Sequence, residues 1–277
     1  MTTRLILGPV LIAALVALFW VDHQSGHPFV FTGLAVIMAG FCSWEMARMV
    51  RARGLDVDMP ALLLTGFALL GYISLSGRHS IAAGLVAVAL GVATLIVLTG
   101  ISNVWNKDVR PFLPEFIGTL GVFVYVFVPI AILVAIRHMP TYGESLVYAL
   151  IAICKLGDTG AYFTGKFFGR IKLIPHVSPN KTVEGLGGGL AASVLAGFVC
   201  WLTLPLLDSF MTWDSFLLLS LGLGFVSAHG DLVASAIKRG ADVKDSSHLL
   251  PEFGGMLDLI DNFMLAAPAV AVVLALK

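Results

Sequence analysis

The stretch Ile81–Ile101 reads IAAGLVAVALGVATLIVLTGI, without one charged residue or proline. As a helix at about 1.5 Å per residue it is long enough to cross the roughly 30 Å hydrocarbon core of a bilayer. It has no polar face to turn toward water, so it belongs in lipid. The rest of the chain follows suit. Of its 277 residues 58% are hydrophobic and only 12% charged, a balance that excludes an ordinary soluble globule. Runs of suitable length fall at about 5–21, 28–47, 61–76, 81–101, 116–136, 145–165, 186–207, 216–237 and 254–276. The sequence predicts an all-α, polytopic membrane helical bundle of about nine transmembrane helices; the third run is short, so eight also fits. The connections are too short for a soluble domain. The expectation is one integral-membrane domain, 1–277, with N-terminal helices over 1–140 and the polar blocks over 141–277.

Arg4 ahead of an apolar run resembles a secretory signal, but the run is long and no Ala-x-Ala site follows it, so a retained first helix is expected. Cys42, Cys154 and Cys200 lie inside apolar runs with no Cys-x-x-Cys pair and are expected to be inert core residues. With nine spans and a cytoplasmic N-terminus, thirteen of the 17 Lys and Arg residues fall on the cytoplasmic side. That asymmetry sets the orientation. The loops 166–185 and 238–253 then face the cytoplasm, where nucleotides are, and the expected setting is the bacterial inner (cytoplasmic) membrane.

Ionisable groups within spans are costly and mark cavities or pathways. Glu45 sits beside Arg48 at i+3, which suggests a terminal ion pair. Lys155, Asp158 and Tyr162 lie at i, i+3 and i+7 and share one helical face. They form either a self-neutralising pair or the polar wall of a site, and Gly157 and Gly160 favour the wall because small residues let a backbone or ligand approach. The following loop, GKFFGRIKLIPHVSPNKTVEG, places Ser178, Asn180, Lys181, Thr182 and Glu184 at the start of a glycine-rich helix. Free N–H groups there suit phosphate, although no Walker A pattern is present. Gly187, Gly188 and Gly189 read as helix-packing positions.

Charge is densest in Ser235–Asp261, SAIKRGADVKDSSHLLPEFGGMLDLID. Asp231, Ser235 and Lys238 recur at i, i+4 and i+7 along one stripe, and Arg239, Lys244 and Asp245 continue into the loop. Asp258 and Asp261, spaced i, i+3, are expected to aim at one side. Carboxylates converging from two helices are hard oxygen ligands suited to Mg2+, with substrate phosphates completing the shell and a second cation allowed. The neighbouring cations suit phosphates. His229 and His248 are given no role.

These blocks resemble the phosphatidate cytidylyltransferase, or CDP-diacylglycerol synthase, family. The resemblance rests on Gly157-Asp158-Thr159-Gly160-Ala161-Tyr162, on Ser178 to Gly185, and on Ser235-Ala-Ile-Lys238-Arg239 through Lys244-Asp245, Pro251, Gly254-Gly255, Asp258 and Asp261, in that order. The chain departs from the family pattern in having Phe253 for its usual His and Leu259 for its usual Arg. The resemblance implies attack by a phosphate oxygen of phosphatidic acid on the α-phosphorus of CTP, giving CDP-diacylglycerol and pyrophosphate. It implies metal binding by Asp231, Asp258, Asp261 and Asp158. It also implies phosphate contacts from Lys238, Arg239 and Lys244, with Asp245 beside them as a further catalytic residue, and substrate binding by Ser178, Asn180, Lys181, Thr182, Glu184 and Ser235. The expected partners are CTP, phosphatidic acid and membrane lipids, with no nucleic acid; Gly84, Gly91 and Gly100 offer small-residue surfaces for a homodimer. An ion-coupled transporter is the alternative that intramembrane charges suggest, but it calls for internal repeats and none is found. A catalytically weakened regulatory or scaffold paralogue is the other.

Overall fold

The computed structural model describes residues 17, 19–76, 80–104, 112–249 and 254–276. Most of the first expected span, 5–21, lies outside them, as do Pro251, Glu252 and Phe253. The helices are α1 (Phe29–Arg51), α2 (Met59–Leu75), α3 (Ile81–Val104), α4 (Phe112–Arg137), α5 (Gly143–Phe168), α6 (Val183–Thr203), α7 (Trp213–Gly240), α8 (Met256–Ile260) and α9 (Phe263–Ala275). Among the described residues seven segments are long and apolar enough to cross a membrane: α1, α3, α4, α5, α6, α7 and the stretch Met256–Ala275, which holds α8 and α9 with the turn between them. At 17 residues, α2 falls short of that length, as its short run foretold. The chain is an integral membrane protein built as a polytopic helical bundle. Where the sequence suggests only a loop after α5, a short antiparallel hairpin forms, β1 (Lys172–Ile174) with β2 (Ser178–Thr182), pairing Lys172 with Thr182 and Ile174 with Ser178.

The polypeptide forms two compact units. The first comprises Met1–Arg78, Ala83–His138 and Asp245–Leu259; the second comprises His79–Ala82, Met139–Lys244 and Ile260–Lys277. The main division falls between His138 and Met139. Asp245–Leu259 belongs to the first unit, so the Ser235–Asp261 block is divided between the two.

In the first unit the core is aromatic. Phe123 and Phe127 are fully buried, their rings 5.6 Å apart, and Phe127 lies where a Cβ on Gly66 would stand. Around them α4 takes a π turn, Phe123–Phe127, with Val128 N–H donating to the Phe123 carbonyl. Pro129 follows at once and has no N–H to continue the ordinary ladder, which accounts for the irregularity. Gly84 packs against Ala135 and Gly91 against Leu69 and Phe123, so both serve the unit's own packing; Gly100 stays open.

In the second unit α5 and α6 run antiparallel on either side of the hairpin. A Cβ on Gly157 would strike Ser193, one on Gly160 would strike Ala192, and one on Gly188 would strike Thr164. The glycines therefore permit close helix approach, in which dispersion contacts replace the absent hydrophobic drive of water. Gly188 and Gly189 have the packing role expected of them, whereas nothing lies near Gly187. Helix α7 joins α6 in the same way, through Gly224 on Ser193 and Gly197 on Ser220. The three cysteines are free and buried.

Candidate active site

Thr182 starts α6. Its extended backbone and its Oγ1, which accepts the Gly185 N–H at 3.0 Å, make it the N-cap, a contact of about 1 kcal/mol. Two residues on, Glu184 accepts the N–H groups of Arg170 (3.1 Å) and Ile171 (3.2 Å), tying the hairpin's entry to the helix. Both groups thus brace the loop. Their neighbour Lys181 reaches inward instead, its Nζ 2.8 Å from Asp231 Oδ2 on α7. Ser178 is half-buried and Asn180 exposed on β2.

Along α7 the predicted stripe is present, with Ser235 Oγ donating to Asp231 Oδ1 at 3.4 Å. One turn later Lys238 Nζ lies 3.8 Å from Asp261 Oδ2, both side chains nearly buried. The helix then stops in a Schellman arrangement. Val243 N–H donates to the Lys238 carbonyl and Asp242 N–H to the Arg239 carbonyl, with Asp242 in the left-handed region at φ 58°. Arg239 donates to the Val243 carbonyl at 3.0 Å, so the guanidinium secures the same turn. Lys244 and Asp245 are exposed.

The final span is not one continuous helix. Asp261 and Asn262 form a turn between α8 and α9, so the i, i+3 argument for Asp258 and Asp261 fails, because it assumes unbroken helix. Asp261 interacts electrostatically with Asp231, Lys238, Lys155 and Asp158, all in the second unit. Asp258 belongs to the first unit. There its Oδ2 accepts the N–H groups of Gly255 and Ser246, each at 2.9 Å, and lies within 2.9 Å of the Ser246 hydroxyl oxygen.

Asn262 escapes the sequence reading. Fully buried, it donates from Nδ2 to Asp158 Oδ2 at 2.7 Å and accepts Lys155 Nζ on Oδ1 at 3.3 Å. The amide therefore joins the two charged groups of α5. Lys155 also lies 4.9 Å over the Phe263 ring. The available signal was adjacency, since Asn262 follows Asp261 directly in an otherwise apolar run. His229 is bonded to its own helix at the Phe225 carbonyl.

Glu45 is the other miss. Its side chain is fully buried while Arg48 is exposed and lies 6.0 Å over the Trp44 ring, so the expected terminal ion pair gives way to a different set of partners. They are Ser246 Oγ, Ser247 Oγ and the Met256 and Leu257 N–H groups.

Among the described residues no three His, Cys, Asp or Glu side chains are arranged as a ready-made metal cage. The donor set fits a different kind of ion. Asp158, Asp231 and Asp261 sit in one unit, engaged respectively by the Asn262 amide, by Lys181 with the Ser235 hydroxyl, and by Lys238. A hard divalent cation that retains water and takes substrate phosphates needs only one or two such carboxylates.

Fold and site together define a polytopic membrane protein with alternating carboxylates and lysines inside a helical unit, an arrangement matched to phosphate chemistry. Residues 2–277 match the cytidylyltransferase family, and the chain belongs to it. It is 33% identical over 282 aligned residues to a phosphatidate cytidylyltransferase of Bacillus subtilis, an alignment covering 100% of this chain and 98% of that protein. The protein of the same name from Staphylococcus epidermidis is 42% identical over 136 residues, 48% of this chain and 51% of the relative. That from Haemophilus influenzae is 38% identical over 135 residues, 47% and 46% of the two chains.

Proposed function

We propose that this protein is a CTP:phosphatidate cytidylyltransferase, transferring CMP from CTP to phosphatidic acid and releasing pyrophosphate in phospholipid biosynthesis. The observation that carries the reading is the convergence of three separate sequence blocks in the second unit. Asp158 meets Asn262, Lys181 meets Asp231, and Lys238 meets Asp261. The phosphate oxygen of phosphatidic acid is already anionic, so it attacks the α-phosphorus without a strong general base. Positioning and charge neutralisation then carry the catalysis.

Lys181 and Lys238 would neutralise phosphate oxygens, leaving Asp231 and Asp261, the carboxylates they now face, to hold a divalent ion. Asp158, held by Asn262, completes the wall. Magnesium bound by these carboxylates would draw charge from the triphosphate, with a second cation allowed. Asp258 is assigned to the same chemistry by resemblance and braces its own loop as well. Ser178, Asn180, Ser235 and Arg239 lie on the elements that carry the lysines and contact nucleotide or lipid headgroup, and Lys244 and Asp245, in the loop after α7, are assigned to the same reaction by resemblance. Thr182 and Glu184 hold the hairpin in place.

The basic residues at the hairpin and after α7 support a cytoplasmic face for this end, in a bacterial inner membrane. A homodimer, where formed, would use the surface at Gly100 rather than Gly84 or Gly91. The test is to incubate purified protein with labelled CTP, magnesium and phosphatidic acid and to extract the lipid. Label in CDP-diacylglycerol with stoichiometric pyrophosphate is expected. CTP binding without turnover would refute catalysis and favour a regulatory paralogue.

A further inference from the structure

We propose that Glu45, far away in sequence on α1, is the positioning residue for the Asp245–Leu259 stretch; its catalytic consequence rests on the function proposed above. Four donors converge on one fully buried carboxylate. On Oε1 they are Ser247 Oγ at 2.5 Å and Met256 N–H at 2.9 Å; on Oε2, Ser246 Oγ at 2.9 Å and Leu257 N–H at 2.8 Å. Met256 and Leu257 are the first residues of α8, whose N–H groups have no partner within the helix. Glu45 supplies that partner from another helix.

The backbone is shaped to admit it. A Cβ on Gly255 would collide with both oxygens of Glu45 and with Ser246 Oγ, and Gly254 holds φ at +87°, which favours glycine. Ser246 Oγ also lies 2.9 Å from Asp258 Oδ2. One serine hydroxyl thus stands between Glu45 and the carboxylate that the family pattern assigns to the reaction. A buried carboxylate is costly unless fully hydrogen-bonded. Here every donor comes from the single stretch that bears Asp258, so the carboxylate fixes that stretch and, through Ser246, the aim of Asp258.

The experiment uses the full-length protein in lipid nanodiscs with Glu45→Ala, Glu45→Gln and Ser247→Ala. Hydrogen exchange is followed in peptides spanning 245–249 and 254–259, with α6 peptides as reference, alongside turnover per folded molecule. Glu45→Ala is expected to speed exchange at Met256 and Leu257 at least about tenfold, with α6 unchanged. It is expected to lower kcat about 100-fold with KM for CTP within about threefold. Glu45→Gln, which keeps one acceptor oxygen, and Ser247→Ala, which keeps the carboxylate, should each show roughly a tenfold loss of kcat. If Glu45→Ala does not fold, these two carry the test. Unchanged exchange, or raised exchange with kcat within about threefold of wild type, overturns the positioning role. Absence of turnover in the wild type overturns the proposed reaction instead, and the exchange measurements still decide the clamp.

Discussion

Replacing Asn262 with leucine tests whether the site depends on the amide that joins Asp158 to Lys155. Leucine has the same branched arrangement of four side-chain heavy atoms, so the shape at this fully buried position is largely kept although the methyl groups are bulkier than the amide. What is lost is a 2.7 Å bond to the Asp158 carboxylate and a 3.3 Å bond from the Lys155 ammonium. Hydrogen bonds to charged groups contribute about 1.5–3 kcal/mol each. Two considerations lower the total. The Lys155 contact is long, and both charged groups are only half-buried, so water takes over part of the work. A net loss of about 2 kcal/mol is reasonable for the pair. At about 1.4 kcal/mol per decade, that corresponds to roughly a 30-fold fall in kcat/KM if Asp158 and Lys155 act in the transition state. The assay is initial-rate transfer of label from CTP into extractable lipid, normalised to folded protein by size-exclusion chromatography. A kcat/KM within about threefold of wild type would refute the reasoning, since that change, near 0.6 kcal/mol, is smaller than an average neutral hydrogen bond.

Five further substitutions probe three separate links. Lys181→Met breaks the 2.8 Å pair with Asp231, whose partners are 26% and 34% exposed; thermal stability should change by less than about 1 kcal/mol, while KM for CTP rises about tenfold through loss of a phosphate contact. Asp261→Asn and Asp258→Asn should each cut magnesium-dependent turnover by at least about 100-fold, measured across a magnesium titration. Full activity in Asp258→Asn would leave that residue only its loop-bracing role. Gly160→Leu drives a side chain into Ala192 and should cost about 1–3 kcal/mol or more, read as loss of monodisperse protein. Gly187→Leu in the facing helix, where the space is open, should leave yield and elution unchanged.

Membrane character was legible in the sequence because it depends on local composition alone: a run such as Ile81–Ile101 has one stable environment whatever its neighbours do. The three polar blocks were equally legible, since charge beside lipid stands out without coordinates. Their local roles were less so. Thr182 and Glu184 look like phosphate ligands by residue type, yet a helix start and a hairpin need the same hydroxyl and carboxylate, and the backbone claims them.

Sequence by itself determined that this is a helical membrane protein whose carboxylates and lysines crowd into polar blocks of its C-terminal half. Only the tertiary structure decided which charges face which. Helical spacing predicts partners only along one unbroken helix, and the turn at Asp261–Asn262 breaks that condition, giving Asp258 and Asp261 separate partners. For the same reason Glu45 reads locally as the partner of Arg48, although its four donors come from about two hundred residues away. A buried carboxylate goes where donors converge, and convergence of distant segments is a property of packing rather than of spacing.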